Sequence, residues 1–473
     1  MSPSWRLPPC GRVIAVVLAM TVVVACGAMG SGVSDRAEPW PQRPTVELRM
    51  DVADDLSAVT GRETVAFTPD LRVCELVFRL WPNKPTAAAD GTAMTLTDAT
   101  VDGAPVTPVV QAAGAPEGAP GTLAEIPLPA CVEAGETVRA ELGFSLRLGE
   151  GSDERVGYSR DSGLAWFATA FPLLAWERGQ GWARDPAVDM SGETVTSEAF
   201  RVDALEVTAS SDDRVLASGS PAGTLPGERP GSTTHRFTAD ALRDLAVAVG
   251  RFHVEERDVR GVRLHVATPV TGSRLDAGEW ADALVDQLGR LEAFLGAYPY
   301  RDLWAVVLPP LADGVEFPTS LQFGDVGRSE APSLIAHELA HQWFYALVGN
   351  NQARDPWIDE AFATYAQARA AGQEELYSLG DVGGRAAGEL GRPMQYWARG
   401  DGFGRYVRGV YDQGAAVLLD ARRRAGEDRF DAALRAYLDV NAHRVARPEY
   451  IEAAFHDLPE VLALLREHGA LPS

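Results

Sequence analysis

The run His337-Glu338-Leu339-Ala340-His341 constrains this chain more than any other part of it. On an α-helix, residues four apart stand one above the other on one face, so two imidazoles at that spacing can converge on one point. Such a pair can share a metal ion, and the carboxylate between them can reach a water held there. The flanks read as helix, since Leu334, Ile335, Leu339, Trp343 and Leu347 fall near the helical period with no proline among them. Ser329 or Ser333 is placed to cap its start. Only eight histidines occur in 473 residues, so a chance match is rare. The competing account, two histidines that merely meet Glu338 or solvent, is decided downstream.

There, Trp357-Ile358-Asp359-Glu360-Ala361-Phe362-Ala363-Thr364-Tyr365 opens a second helical stretch just after Pro356. Glu360 lies nineteen positions after His341. A zinc site of two neutral imidazoles and one carboxylate keeps its fourth position for water. By itself, an acid in a first helical turn is explained by the helix dipole. Beside the histidine pair, Glu360 completes a ligand set with His337 and His341. Thr364, Asp359 and Asp325 are candidates for orienting the imidazoles, and the sequence does not choose among them.

This combination resembles the gluzincin metallopeptidases, and more narrowly the family of aminopeptidase N and leukotriene-processing hydrolase. His337, His341, Trp357 and Glu360 match that family's ligand pattern position by position. Gly314-Val315-Glu316-Phe317-Pro318 resembles its Gly-x-Met-Glu-Asn strand, whose glutamate binds the substrate's free amine. Tyr411-Asp412-Gln413-Gly414-Ala415 resembles the segment whose tyrosine stabilises the tetrahedral intermediate, and Tyr406 echoes a second tyrosine of some members. The motifs run in order through about residues 260–425. The resemblance implies one zinc per chain, Glu338 as general base, Tyr411 as oxyanion donor and Glu316 as amine anchor. The family also supplies a glutamine beside that glutamate. Trp166 to Trp176, about where it belongs, contains none.

The first residues read as an export leader (1–25), with Arg6 and Arg12 before an almost wholly apolar run from Val13 to Ala25. Thirteen residues are too few to span a bilayer as a helix. Val23-Val24-Ala25-Cys26-Gly27 resembles the bacterial lipoprotein cleavage box, which implies a lipid on Cys26 and an outward-facing membrane anchor, or secretion if no lipid is added. Residues 26–44, rich in glycine, serine and proline, read as a tether. Cys74 and Cys131 are then expected to pair, as in other exported proteins. The formal charge of −23 argues against a nucleic-acid partner.

The expected fold is α+β and multidomain. Residues 45–255 alternate or run apolar between turn-rich stretches and read as a β-rich N-terminal domain. Residues 256–425 resemble a thermolysin-like, mostly helical zinc catalytic domain, and 426–473 read as a short C-terminal helical segment. The resemblance then implies a mouth more open than in members with a long helical-repeat domain. The function expected is a zinc aminopeptidase acting on peptides outside the cytoplasmic membrane. Alternatives are an endopeptidase or amidase on the same site, or a non-catalytic surface lipoprotein that binds partners. The presence of Glu338 counts against the last, since binding alone needs no base.

Overall fold

The computed structural model describes residues 36–472 except 153, 192–195, 385 and 401. The leader, Cys26 and most of the tether lie outside the described residues. Among the described residues no helix is long and apolar enough to cross a membrane.

The N-terminal half is built from strands, as its alternation requires. Thr45–Val52 turns Val46, Leu48, Met50 and Val52 inward, the period of two of a half-buried strand. It sits inside an eight-stranded sheet, parallel to Phe200–Ser210 on one side and antiparallel to Ala58–Phe67 on the other. Two four-stranded sheets share its core, which includes Leu48, Phe78, Phe144, Trp166 and Val249. Cys74 and Cys131 are disulfide-bonded, joining the paired strands Val73–Arg79 and Leu123–Val132.

The second half opens on a five-stranded sheet ordered Phe252–Val259, Val262–Pro269, Asp302–Val307, Ser320–Phe323 and Gly314–Phe317. The helix Ala277–Leu295 provides the crossover between the parallel strands, starts on an Asp276/Glu279 capping box and buries Trp280, Leu284, Leu288 and Leu291. Phe252–Val259 pairs along its whole length with Val262–Pro269, so this strand, which runs across the expected boundary at 255, belongs to the five-stranded sheet. The helices of 426–473 share a core with the histidine helix through Phe430, Leu434, Tyr437, Val461 and Leu465.

The histidine helix spans Ala331–Ala340, and the glutamate helix spans Trp357–Ala371, with Gly372 closing it at φ 67°. No serine caps the first of these. Pro332 fills its first turn, and Ser333 bonds Gln373 instead. The helix also ends before the expected Leu347. Beyond His341 the amides of Ala346, Leu347 and Val348 bond carbonyls five residues back, and Tyr345 takes φ 107°. That wide turn frees the side chain of Gln342, which donates to the Phe317 carbonyl at 2.9 Å and accepts from the Thr319 amide at 2.8 Å. Gln342 thereby ties the edge hairpin carrying Glu316 to the end of the histidine helix.

Candidate active site

His337 and His341 project from one face of their helix toward Glu360, which the second helix presents in its first turn. His337 Nε2 and His341 Nε2 are 3.3 Å apart, and Glu360 Oε2 lies 3.3 Å from the first and 3.4 Å from the second. Four donors placed tetrahedrally at about 2.0–2.1 Å from zinc stand about 3.3–3.4 Å from one another. The three atoms therefore form one face of a zinc tetrahedron.

The imidazole tautomers agree with that reading. His337 donates from Nδ1 to Gln367 Oε1 at 3.0 Å, and His341 donates from Nδ1 to the Phe344 carbonyl at 3.1 Å. Each ring thus turns its Nε2 inward, the atom that a metal ligand must offer. The amide of Gln367 is itself fixed, since its Nε2 donates to Ser333 Oγ at 2.8 Å. Glu360 Oε2 is buried and makes no hydrogen bond of good geometry, an orphaned acceptor that a cation satisfies. Burial opposes ionisation of Glu360, but the His341 and His337 imidazoles outweigh it and hold the carboxyl well below the usual range. Burial works against a charge on His341 too, yet Glu316, Glu360 and Glu338 push it up to about 10. Three buried carboxylates thus call for positive charge at this point, and the donor set fits zinc.

Of the expected orienting residues, none holds an imidazole. Thr364 bonds the carbonyl of Glu360, Asp359 accepts from the Glu360 amide and Gln352, and Asp325 accepts from the Arg274 amide. Gln367 does hold one, and it was readable: it lies seven residues, two turns, beyond Glu360 on the same helix face. The Phe344 carbonyl carries no sequence signal, because it depends on the wide turn after His341.

Glu338 sits beside the ligands and not among them. It is 4% exposed, and its carboxylate, that of Glu316 and His341 all lie within 4.8 Å of one another. Burial first, then the negative charge of Glu316, raises its pKa well above the ordinary value, the behaviour of a carboxylate poised as a base. The backbone of Gly314 makes room for it, since a Cβ there would lie 2.4 Å from Glu338 Cγ.

Tyr411 arrives on a π-helical turn, Val407–Asp412, that runs into the helix Gln413–Ala425. Its ring stacks on His337 with centroids 5.6 Å apart, and burial first, then the charge of nearby Glu360, raises the pKa of its hydroxyl well above the ordinary value. Such turns recur at functional sites because the extra residue re-aims a side chain. Tyr406 is buried behind it, its ring edge-on at 5.3 Å. Gly414 allows this helix to touch the glutamate helix, for a Cβ there would fall 2.2 Å from Ala361 Cβ.

Glu316 is buried on the edge strand, and it already has a partner. Arg155 of the N-terminal domain donates from Nη2 to Glu316 Oε1 at 3.4 Å. The stretch 166–176 does reach this strand, since Ala168 packs with Phe317, but it brings no amide side chain.

Residues 324–382, which contain all three ligands, match the Peptidase family M1 domain. Aminopeptidase M1-B of Oryza sativa subsp. japonica is 25% identical over 242 residues, covering 45% of this chain and 27% of the relative. Aminopeptidase N of Streptomyces lividans is 29% identical over 26% of this chain and 16% of its own length. Aminopeptidase N of Homo sapiens is 31% identical over 25% and 14%. The chain thus spans about a quarter or less of these curated relatives. Among solved structures, a mutant M1 zinc metallopeptidase from Deinococcus radiodurans bound to a Tyr-Ser-Ala substrate superposes with TM-score 0.67 at 20% identity, over 91% of this chain and 95% of that one. The likeness is one of fold, across both halves of the chain.

Proposed function

We propose that this chain, a zinc metallopeptidase of the gluzincin family that includes aminopeptidase N, removes N-terminal residues from peptides. The observation that carries the reading is the triangle of His337 Nε2, His341 Nε2 and Glu360 Oε2, with Glu338 beside it and Glu316 beyond. His337, His341 and Glu360 would hold the zinc, which when bound would acidify a water and polarise the substrate carbonyl. Glu338 takes the proton of the attacking water and passes it to the leaving amine. Burial first, then the charge of Glu316, raises its pKa and so strengthens it as the base for the first transfer. Tyr411 donates its hydroxyl to the oxyanion as charge develops. Glu316 pairs with the substrate's ammonium and so sets one residue's distance to the scissile bond.

Cleavage of L-leucine p-nitroanilide, compared with its N-acetylated copy, tests this. Strong preference for the free amine is expected. Equal turnover of both, with internal cuts in longer peptides, would favour the endopeptidase reading, for which the missing glutamine beside Glu316 speaks. We also propose export and lipid attachment at Cys26, supported by the apolar run Val13 to Ala25 that ends in Ala25-Cys26-Gly27. Mass spectrometry of membrane-extracted protein should find a diacylated N-terminal Cys26 peptide, and a soluble mature protein beginning elsewhere would refute the anchor.

A further inference from the structure

We infer that Arg155 is the residue that positions Glu316 for the substrate's amine, so that specificity at the zinc site is set in part by the N-terminal β-domain. The inference rests on the aminopeptidase reading and adds a residue to it. Arg155 precedes the strand Val156–Ser159 and reaches across to the edge strand Gly314–Phe317. Its side chain is 3% exposed and that of Glu316 is 6% exposed, and their contact is 3.4 Å. The guanidinium lies over the Phe317 ring, 4.9 Å from its centroid, and 5.6 Å from the Trp81 ring centroid. Two aromatic rings therefore restrict where it can move, and the plane of a guanidinium suits such packing. Of the groups that favour its charge Glu316 acts most strongly, ahead of Tyr345, Asp244 and Glu154.

The chemistry of Arg155 differs from that of the glutamine absent from 166–176. A glutamine offers an acceptor oxygen to an ammonium, whereas a guanidinium has only donors and repels one. Arg155 therefore acts through Glu316. It occupies Oε1 and leaves the second oxygen to the substrate. It also opposes the repulsion between Glu316 and Glu338, whose carboxylates lie within 4.8 Å of each other. Without the guanidinium, a buried carboxylate facing a second one has every reason to turn away. The amine would then lose its anchor.

Steady-state kinetics on the zinc-loaded full chain test this with L-leucine p-nitroanilide and its N-acetyl copy. Arg155→Met should raise KM for the free amine about tenfold or more and change kcat less than about threefold. The preference over the acetylated substrate should shrink by a similar factor, with zinc still at one per chain. Arg155→Lys, which keeps the charge but not the fork, should recover part of the loss. In a Glu316→Gln background the further change to Met at 155 should cost little, because its target is gone. An unchanged or lowered KM in Arg155→Met, with wild type still favouring the free amine, would overturn the role of Arg155. Failure of wild type to favour the free amine would instead overturn the aminopeptidase reading beneath it. Should Arg155→Met not fold, Arg155→Lys carries the test alone: KM raised about threefold supports the role and unchanged KM overturns it.

Discussion

The ring of Tyr411 lies nearly parallel to the imidazole of His337, with 12° between their planes and 5.6 Å between their centroids. The stack fixes the phenol over the ligand cluster, and the Tyr406 ring packs edge-on behind it at 5.3 Å. On the proposed reading, a hydroxyl held there would meet the oxyanion without reorganising, the condition for stabilising a transition state more than a ground state.

Tyr411→Phe keeps the stack and removes only the hydroxyl. It should lower kcat by at least about tenfold with a smaller change in KM, the pattern of an interaction made mainly in the transition state. Tyr406→Phe should cost less, because Tyr406 touches Tyr411 and not the reacting atoms. Paired steady-state measurements check this; the opposite order would mean that Tyr406 provides the donor.

Gly314→Ala should damage catalysis without touching a ligand. A Cβ at 314 would come 2.4 Å from Glu338 Cγ, so the base must move. Zinc content should stay at one per chain, while kcat/KM falls by about a hundredfold, the scale of a lost general base. A rate within twofold of wild type would show that Glu338 has another place to stand.

Gly414→Ala tests the contact between the tyrosine-bearing and glutamate helices. Alanine is the better helix former by about 1 kcal/mol, yet its Cβ would meet Ala361 Cβ at 2.2 Å. Overpacking of this kind costs about 1–3 kcal/mol, so the variant should melt below wild type. Because Ala361 follows Glu360, zinc should also be held less tightly. Calorimetry with zinc titration reads both effects.

Zinc removal should loosen the catalytic half itself. The ligands join two helices, and at a thousandfold excess over Kd a bound ion adds about 4 kcal/mol. A chelator should therefore lower Tm by several degrees, and added zinc should restore it. His341→Ala should melt low from the start, contain no metal and ignore the chelator. Full metal content in His341→Ala would contradict the ligand assignment.

What the sequence made legible follows from how local each feature is. His337, His341 and Glu360 declare themselves because helical spacing alone places them, and the strand alternation around Leu48 is equally local. Cys74 and Cys131 pair as the export reading expects. Gln367 was legible too, two turns beyond Glu360 on the same helix face. The end of the histidine helix at Ala340 was not legible, because the apolar period runs on through Leu347 while the backbone turns to free Gln342. Nor was the π-helical turn at Val407–Asp412, whose extra residue leaves no mark on composition. Arg155 is the extreme case. It stands 161 residues from Glu316 in another domain, and no periodicity links them.

The general base carries the central claim, and Glu338→Gln tests it most directly. Glutamine keeps the shape and removes the proton acceptor, while His337, His341 and Glu360 remain to bind the ion. Metal analysis and turnover of an unblocked aminoacyl anilide should be measured on the same preparation. One zinc per chain with turnover lower by about a thousandfold is the expected result. Turnover near wild type with zinc in place would contradict the assignment of Glu338.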